Sequence, residues 1–142
     1  MSAICPQQFP YEAIAAFLLG KTVKAALCNG GVLAYLDSAF KAPGALKAAE
    51  LSSGSGYTAG GIDVNAVVAV DDVNNKVTIS VDNPVWNASG GNLVADTCVF
   101  YIDDTDALIL KQVGFGSSQI CYDGYPMEVV VEDGILVEYQ QS

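Results

Sequence analysis

Histidine is absent from this 142-residue chain, and its six basic residues face sixteen acidic ones, which gives a net charge of −10. Without histidine, neither a Ser-His-Asp nor a Cys-His catalytic arrangement can form, and the usual structural zinc patterns are missing. The six cations are scattered along the sequence. Because binding to a phosphate backbone needs several clustered cations, we expect no nucleic-acid partner.

Cysteine is scarce as well, with four residues and no CxxC pair: Cys5, Cys28, Cys98 and Cys121. Cys28 and Cys98 lie inside apolar runs, which predicts that they are small buried hydrophobic residues in a reducing compartment. If all four cysteines paired, the sequence could not choose between the possible connectivities. We predict no metal and no cofactor.

Acidic pairs and clusters occur only where turns are predicted. The run Asp103 to Asp106 could offer oxygens to calcium, but it lacks the ligand spacing of an EF-hand loop, so solvated carboxylates are the simpler interpretation. Asp71 with Asp72, and Glu132 with Asp133, are interpreted in the same way. The sequence therefore does not predict an enzyme.

Long hydrophobic runs are missing too, since the apolar stretch Ala13 to Gly20 is far shorter than a membrane span and follows Glu12 rather than a basic region. Ile14, Phe17 and Leu18 recur at helical spacing, which predicts one short N-terminal helix within a segment 1–20. We expect no membrane partner and synthesis in the cytoplasm.

From residue 21 to residue 142 the sequence predicts a single β domain. Alternating apolar runs are separated by turn signals, most clearly in the hairpin on either side of Asp71 to Asn75. Further hairpins are predicted around Asp103 to Asp106 and around Glu132 to Gly134. Residues 32–51 are predicted to be an irregular arm. The predicted fold class is mainly β, an antiparallel β-sandwich or barrel that is jelly-roll-like, with one short N-terminal helix.

The glycine-rich run SSGSGYTAGG, Ser52 to Gly61, raises the question of phosphate binding. It lacks the Lys and hydroxyl of a Walker loop, and its glycines miss the dinucleotide spacing. We therefore predict a tight backbone corner where the chain joins the sheet, with Tyr57 packed beside the glycines. Trp86, the only tryptophan, is predicted to be a core residue, with ligand stacking as the alternative.

The order of several short motifs resembles a family of small structural proteins of tailed bacteriophages. GYTAGG at Gly56 to Gly61 is the strongest of these motifs, followed by DDVNNKV, VW at Val85, ADTCVFY ending at Tyr101 and a terminal DGIL. The resemblance implies a virion protein with no chemistry of its own, and within that class we favour a capsid decoration, or cement, protein. The structural motif carried over comprises Gly56, Tyr57, Gly60, Gly61 and Trp86.

The resemblance implies that the partners are the major capsid protein and further copies of this chain, as a homodimer or homotrimer on the capsid surface. The N-terminal segment and the arm are the expected contact surfaces, with these candidate contact residues: Phe9, Tyr11, Phe17, Tyr35 and Phe40.

Two alternatives stay open: a tail, neck or fibre-base component, and a carbohydrate-binding module that stacks sugars on Trp86, Tyr122 and Tyr125.

Overall fold

The structure is a computed structural model that describes residues 20–30, 49–71, 76–103, 109–131 and 135–138. Over these ranges the chain is mainly β, and every strand ladder is antiparallel, as predicted. The predicted N-terminal helix lies outside the described residues except for Gly20, and so does the arm except for residues 49–51. The strands are β1 (Val23–Cys28), β2 (Ile62–Asp63), β3 (Val67–Asp71), β4 (Lys76–Ser80), β5 (Val85–Asn87), β6 (Leu93–Ile102), β7 (Ile109–Cys121), β8 (Pro126–Glu128) and β9 (Ile135–Glu138).

The described strands form three sheets. The largest has four strands in the order β2-β1-β6-β7, the second has the order β3-β4-β9, and the third pairs β5 with β8. Two predicted hairpins are confirmed, because β3 pairs with β4 and β6 pairs with β7. Each hairpin joins two apolar strands across a short polar turn, which is a local signal for strand pairing, and β4 also alternates between apolar and polar residues.

The predicted hairpin around Glu132 to Gly134 is wrong. The strand before it, β8, pairs with β5, and the strand after it, β9, pairs with β4. An acidic turn with glycine marks a change of direction, but the partner of each strand depends on the edges that the rest of the fold leaves open. The amide of Val129 donates to the carbonyl of Pro84 at 2.9 Å, which extends the β5-β8 pairing beyond the strand ends.

β1 and β6 lie at the centre of the largest sheet and are buried on both faces. Leu27, Cys98 and Phe100 belong to the main buried cluster, whereas Val99 and Tyr101 belong to a second cluster. Their nearly continuous apolar sequences fit this position, because a strand with two buried faces needs no polar alternation. The main cluster also contains residues of the other two sheets, among them Ile79 of β4 and Trp86 of β5.

The small sheet β5-β8 continues the ladder of β6 and β7 around a corner. Asn87 pairs with Pro126, the amide of Ala88 donates to the carbonyl of Tyr125 at 2.9 Å, and Leu93 then pairs with Cys121. One long two-stranded ribbon therefore bends between its two halves. We call the bend, residues 88–92 and 122–125, the ribbon corner.

Candidate functional site

The glycine loop, residues 52–61, begins with a tight two-residue turn. Gly54 and Tyr57 exchange both backbone hydrogen bonds, at 2.8 and 3.0 Å. The two residues between them, Ser55 and Gly56, both have positive φ, at 55° and 92°, which is the condition for a type I′ turn. The loop thus reverses direction as tightly as a β-hairpin does.

Two glycines of the loop lie so close to other backbones that no side chain fits. A Cβ on Gly56 would come within 1.9 Å of the carbonyl oxygen of Asn87, and a Cβ on Gly61 within 1.8 Å of the carbonyl oxygen of Ala25. Gly56 therefore seats the loop against the β5 end of the ribbon, and Gly61 seats it against β1. The loop joins these two parts of the fold through backbone contact.

A hydrogen-bond network under the loop fixes its position. The hydroxyl of Tyr57 donates to the carboxylate of Glu50, which also accepts from the amide of Gly60 at 2.6 Å. The hydroxyl of Tyr101 donates to the carbonyl of Gly60 at 2.5 Å, and the amide of Leu27 donates to the Tyr57 oxygen at 3.3 Å. Because a buried polar group without a partner is costly, this mutual pairing makes the loop a defined part of the core.

The raised pKa values of two tyrosines and two thiols around this network keep them protonated at neutral pH. Burial, and then its hydrogen bond to Glu50, raise the pKa of Tyr57 far above its ordinary range. Burial raises the pKa of Tyr101 to about 12 and the pKa of the Cys28 thiol to about 12, with nearby carboxylates adding to both shifts. Burial also raises the pKa of Cys98. At neutral pH these groups are neutral donors and packing residues.

Trp86 lies in the core, with 3% of its surface exposed, and its ring centroid is 6.1 Å from that of Tyr57 at a tilt of 47°. Its indole Nε1 is buried and has no hydrogen-bond partner among the described residues. Tyr122 and Tyr125 are exposed instead, at 62% and 67%. The three aromatic residues suggested for sugar stacking therefore do not share one surface.

A groove of about 550 Å³ opens beside the ribbon corner, and its described lining residues all belong to the segment 115–129. Phe115, Met127 and Val129 contribute apolar surface that also packs against the main core. Tyr122 and Tyr125 come from the corner itself. The bend between β7 and β8 thus shapes this groove.

The outer rim of the groove is exposed and apolar. Ile120 is 52% exposed, and its cross-strand partner Val94 is 38% exposed. Glu128 is the one charged residue among the described lining residues, and Asp123 is exposed in the turn between the two tyrosines. Chemically, the groove offers aliphatic and aromatic contact together with negative charge.

The groove also lies beside an open strand edge. β7 is an edge strand of the largest sheet, and none of the described strands pairs with it on the side away from β6. Residues 115–118 lie between the pairs Ala95 with Gln119 and Thr97 with Gly114, so β7 bulges here. Such bulges are common where a strand is shaped for contact.

The five residues predicted as protein contacts, Phe9, Tyr11, Phe17, Tyr35 and Phe40, lie outside the described residues. Tyr57 of the glycine motif meets Trp86 in the core, whereas Gly56 is exposed and Gly60 and Gly61 are half-buried. The sequence singled out Tyr122 and Tyr125 but did not predict the groove. Its lining residues, from Phe115 to Val129, surround one groove only because the ribbon bends between them.

Residues 104–106 of the acidic turn are likewise outside the described part of the chain. Over the described ranges, no group of three or more His, Cys, Asp or Glu side chains could hold a metal ion. The same ranges contain no helix that is long and apolar enough to cross a membrane.

Comparison of the chain with protein-family models, with curated proteins and with solved structures finds no match.

Proposed function

We propose that this chain is a structural protein of a tailed-bacteriophage virion, attached to the capsid surface as a decoration protein. The groove beside the ribbon corner is the observation that carries the attachment role: it is an exposed apolar surface next to a strand edge that no described strand covers, and such surfaces are common sites of protein docking. The assignment to a virion is supported by the resemblance of GYTAGG and the motifs that follow it.

A decoration protein has to be stiff, and the glycine loop supports that requirement. Gly56 and Gly61 join β1 to the ribbon by direct backbone contact, and Glu50 ties the loop to the core through two hydrogen bonds. We further propose that the three sheets form a β-sandwich, because one buried cluster contains residues of all three. A rigid sandwich presents its contact surfaces in a fixed arrangement.

The benefit to the shell follows from mass action. A protein that binds assembled capsid subunits but not dissociated ones stabilises the lattice by RT ln(1 + [L]/Kd), about 2.7 kcal/mol per site at a hundredfold excess over Kd. Self-association into a dimer or trimer would add avidity without new contacts to the capsid. The major capsid protein and further copies of this chain are the proposed partners.

The test is the copy number of the chain in purified particles of the phage that encodes it, measured by quantitative mass spectrometry against the major capsid protein. We expect a fixed ratio to the capsid protein that corresponds to one position per subunit or per subunit cluster. A copy number matching the symmetry of a single tail, neck or fibre base would show the alternative location. Absence from particles that carry all other structural proteins would refute the proposal.

A further inference from the structure

The groove beside the ribbon corner has a chemistry that selects among partners. Ile120, Tyr122 and Tyr125 are more than half exposed around it, although each carries a large apolar surface. Exposure of several such residues in one place is unfavourable in water and is typical of a binding site.

Charge distinguishes the groove from a neutral apolar patch. Glu128 is its one charged residue among the described lining residues, and the whole chain carries a net charge of −10. The face of a tyrosine ring attracts Lys and Arg. An occupant with basic groups would therefore be attracted by the Glu128 carboxylate, by the rings and by the field of the whole molecule.

The backbone next to the groove favours an extended occupant. β7 has an edge that no described strand covers, and four of the lining residues lie on that strand: Phe115 in its bulge, and Gln119, Ile120 and Cys121 beyond the bulge. A peptide that adds to a sheet edge gains main-chain hydrogen bonds and places alternate side chains into adjacent pockets.

Two other occupants fit less well. A second copy of this chain would bring another net charge of −10 to an already acidic surface. A saccharide needs many polar partners for its hydroxyl groups, yet besides the two tyrosines only Gln119 and Glu128 offer polar side chains among the described lining residues.

We propose that the groove binds an extended peptide segment of a protein partner in which apolar residues alternate with Lys or Arg, paired at residues 119–121 with the edge of β7 that the described strands leave uncovered. This inference rests on the proposed function only for the identity of the partner, which would be the capsid subunit. The two ideas fail separately, because peptide binding is measured on the isolated protein and copy number is measured on particles.

The probe is a fluorescent peptide of about seven residues in which Val alternates with Lys and Arg, long enough to span the end of β7. Matched peptides carry Glu or Ser in place of the basic residues. We expect fluorescence anisotropy to show binding of the basic peptide at least about tenfold tighter than binding of either matched peptide.

Two substitutions separate groove binding from general attraction to an acidic protein. Ile120→Asp and Val67→Asp each add one negative charge at a comparably exposed apolar strand position, 52% and 61% exposed, but only Ile120 lines the groove. General electrostatic attraction between the basic peptide and the acidic protein would strengthen in both variants. Binding in the groove should weaken about tenfold in Ile120→Asp alone, because an aliphatic side chain that the bound peptide would cover is replaced by a charged one.

A second pair tests the carboxylate. Glu128→Gln and Asp82→Asn each remove one negative charge, and Asp82 is exposed and does not line the groove. Only Glu128→Gln should weaken the basic peptide, by about threefold to tenfold, as expected for loss of one partly desolvated charge contact.

The proposal is overturned if the three peptides bind equally, if none binds at about 1 mM, the weak limit of specific recognition, or if Ile120→Asp and Val67→Asp behave alike. Sedimentation that shows a dimer lost only in Ile120→Asp would assign the groove to a second copy. Saccharide binding lost only in Ile120→Asp would assign it to a sugar.

Discussion

Replacement of Gly61 by alanine should destabilise the protein through one steric contact, and a second glycine provides the control. Gly61 has φ +81°, and an added Cβ would lie 1.8 Å from the carbonyl oxygen of Ala25. Gly90 has nearly the same backbone, φ +76°, but a Cβ there would meet nothing within 4 Å. The two substitutions share the backbone strain and differ in the clash.

The cost of placing alanine at a positive φ, which both substitutions share, is small. Placing alanine in the left-handed region costs about 1–2 kcal/mol, and the lower entropy of the unfolded chain returns about 0.4–1 kcal/mol. Gly90→Ala should therefore reduce the free energy of unfolding by about 1 kcal/mol. This value is the baseline for the comparison.

The clash adds to that baseline in Gly61→Ala. The neighbouring atom is a backbone carbonyl of β1, which cannot rotate away as a side-chain end can, and Ala25 is also paired with Ile62 of β2. Relief of an overpacked contact costs about 1–3 kcal/mol, so together with the baseline we expect a total loss of about 2–4 kcal/mol. That is a large part of the 5–15 kcal/mol typical of a domain.

Urea unfolding followed by circular dichroism measures both variants, with the midpoint shift converted to free energy at an unchanged m-value. Equal losses in Gly61→Ala and Gly90→Ala would show that the close backbone approach does not constrain the loop. Gly56→Ala and Gly124→Ala repeat the comparison, because their φ values are 92° and 91° and only Gly56 faces a nearby backbone atom.

Three further predictions follow from the same core. The free energy of unfolding should fall as pH rises from about 9 to 12, because the thiols ionise in the unfolded state while the folded state holds Cys28 protonated up to a pKa of about 12. Each such group contributes a slope of about 1.4 kcal/mol per pH unit. In Cys28→Ala the slope should be smaller by the contribution of one group, as urea unfolding at several pH values would show. Glu50→Ala should lower the free energy of unfolding by about 1–3 kcal/mol, since it removes the oxygen that accepts from both Tyr57 and Gly60, and an unchanged urea midpoint would contradict that role. The fluorescence of Trp86, which is 3% exposed, should be blue-shifted and nearly insensitive to iodide in the folded protein, whereas strong quenching would place the ring at the surface.

Local sequence patterns predicted where the strands lie better than they predicted which strands pair with each other. Apolar runs separated by short polar turns identified the β3-β4 and β6-β7 hairpins, because adjacent strands joined by a tight turn pair with each other by default. The same rule failed at Glu132 to Gly134. β8 has only three residues, and its pairing with β5 is set by the ribbon that arrives from β6 and β7.

The candidate site was harder to predict for a related physical reason. Aromatic content drew attention to Tyr122 and Tyr125, but a groove is defined by curvature, and the curvature comes from the ribbon corner and from the bulge at residues 115–118. Neither feature has a local hydrophobic signature. The spacing of glycines, in contrast, did predict a tight corner, because positive φ and close approach both exclude side chains.

The glycine loop and the groove lie next to the same part of the ribbon. The loop contacts one strand of the ribbon, and the other strand lines the groove. Gly56 seats the loop against the carbonyl of Asn87, and Asn87 pairs with Pro126, which lines the groove. The amide of Ser89 donates to the carbonyl of Ser55 at 3.1 Å, which adds a second tie to the corner. Since a site whose shape is fixed before binding loses less entropy when it is occupied, the proposed peptide binding would depend in part on the strongest motif of the sequence, although that motif would not touch the peptide.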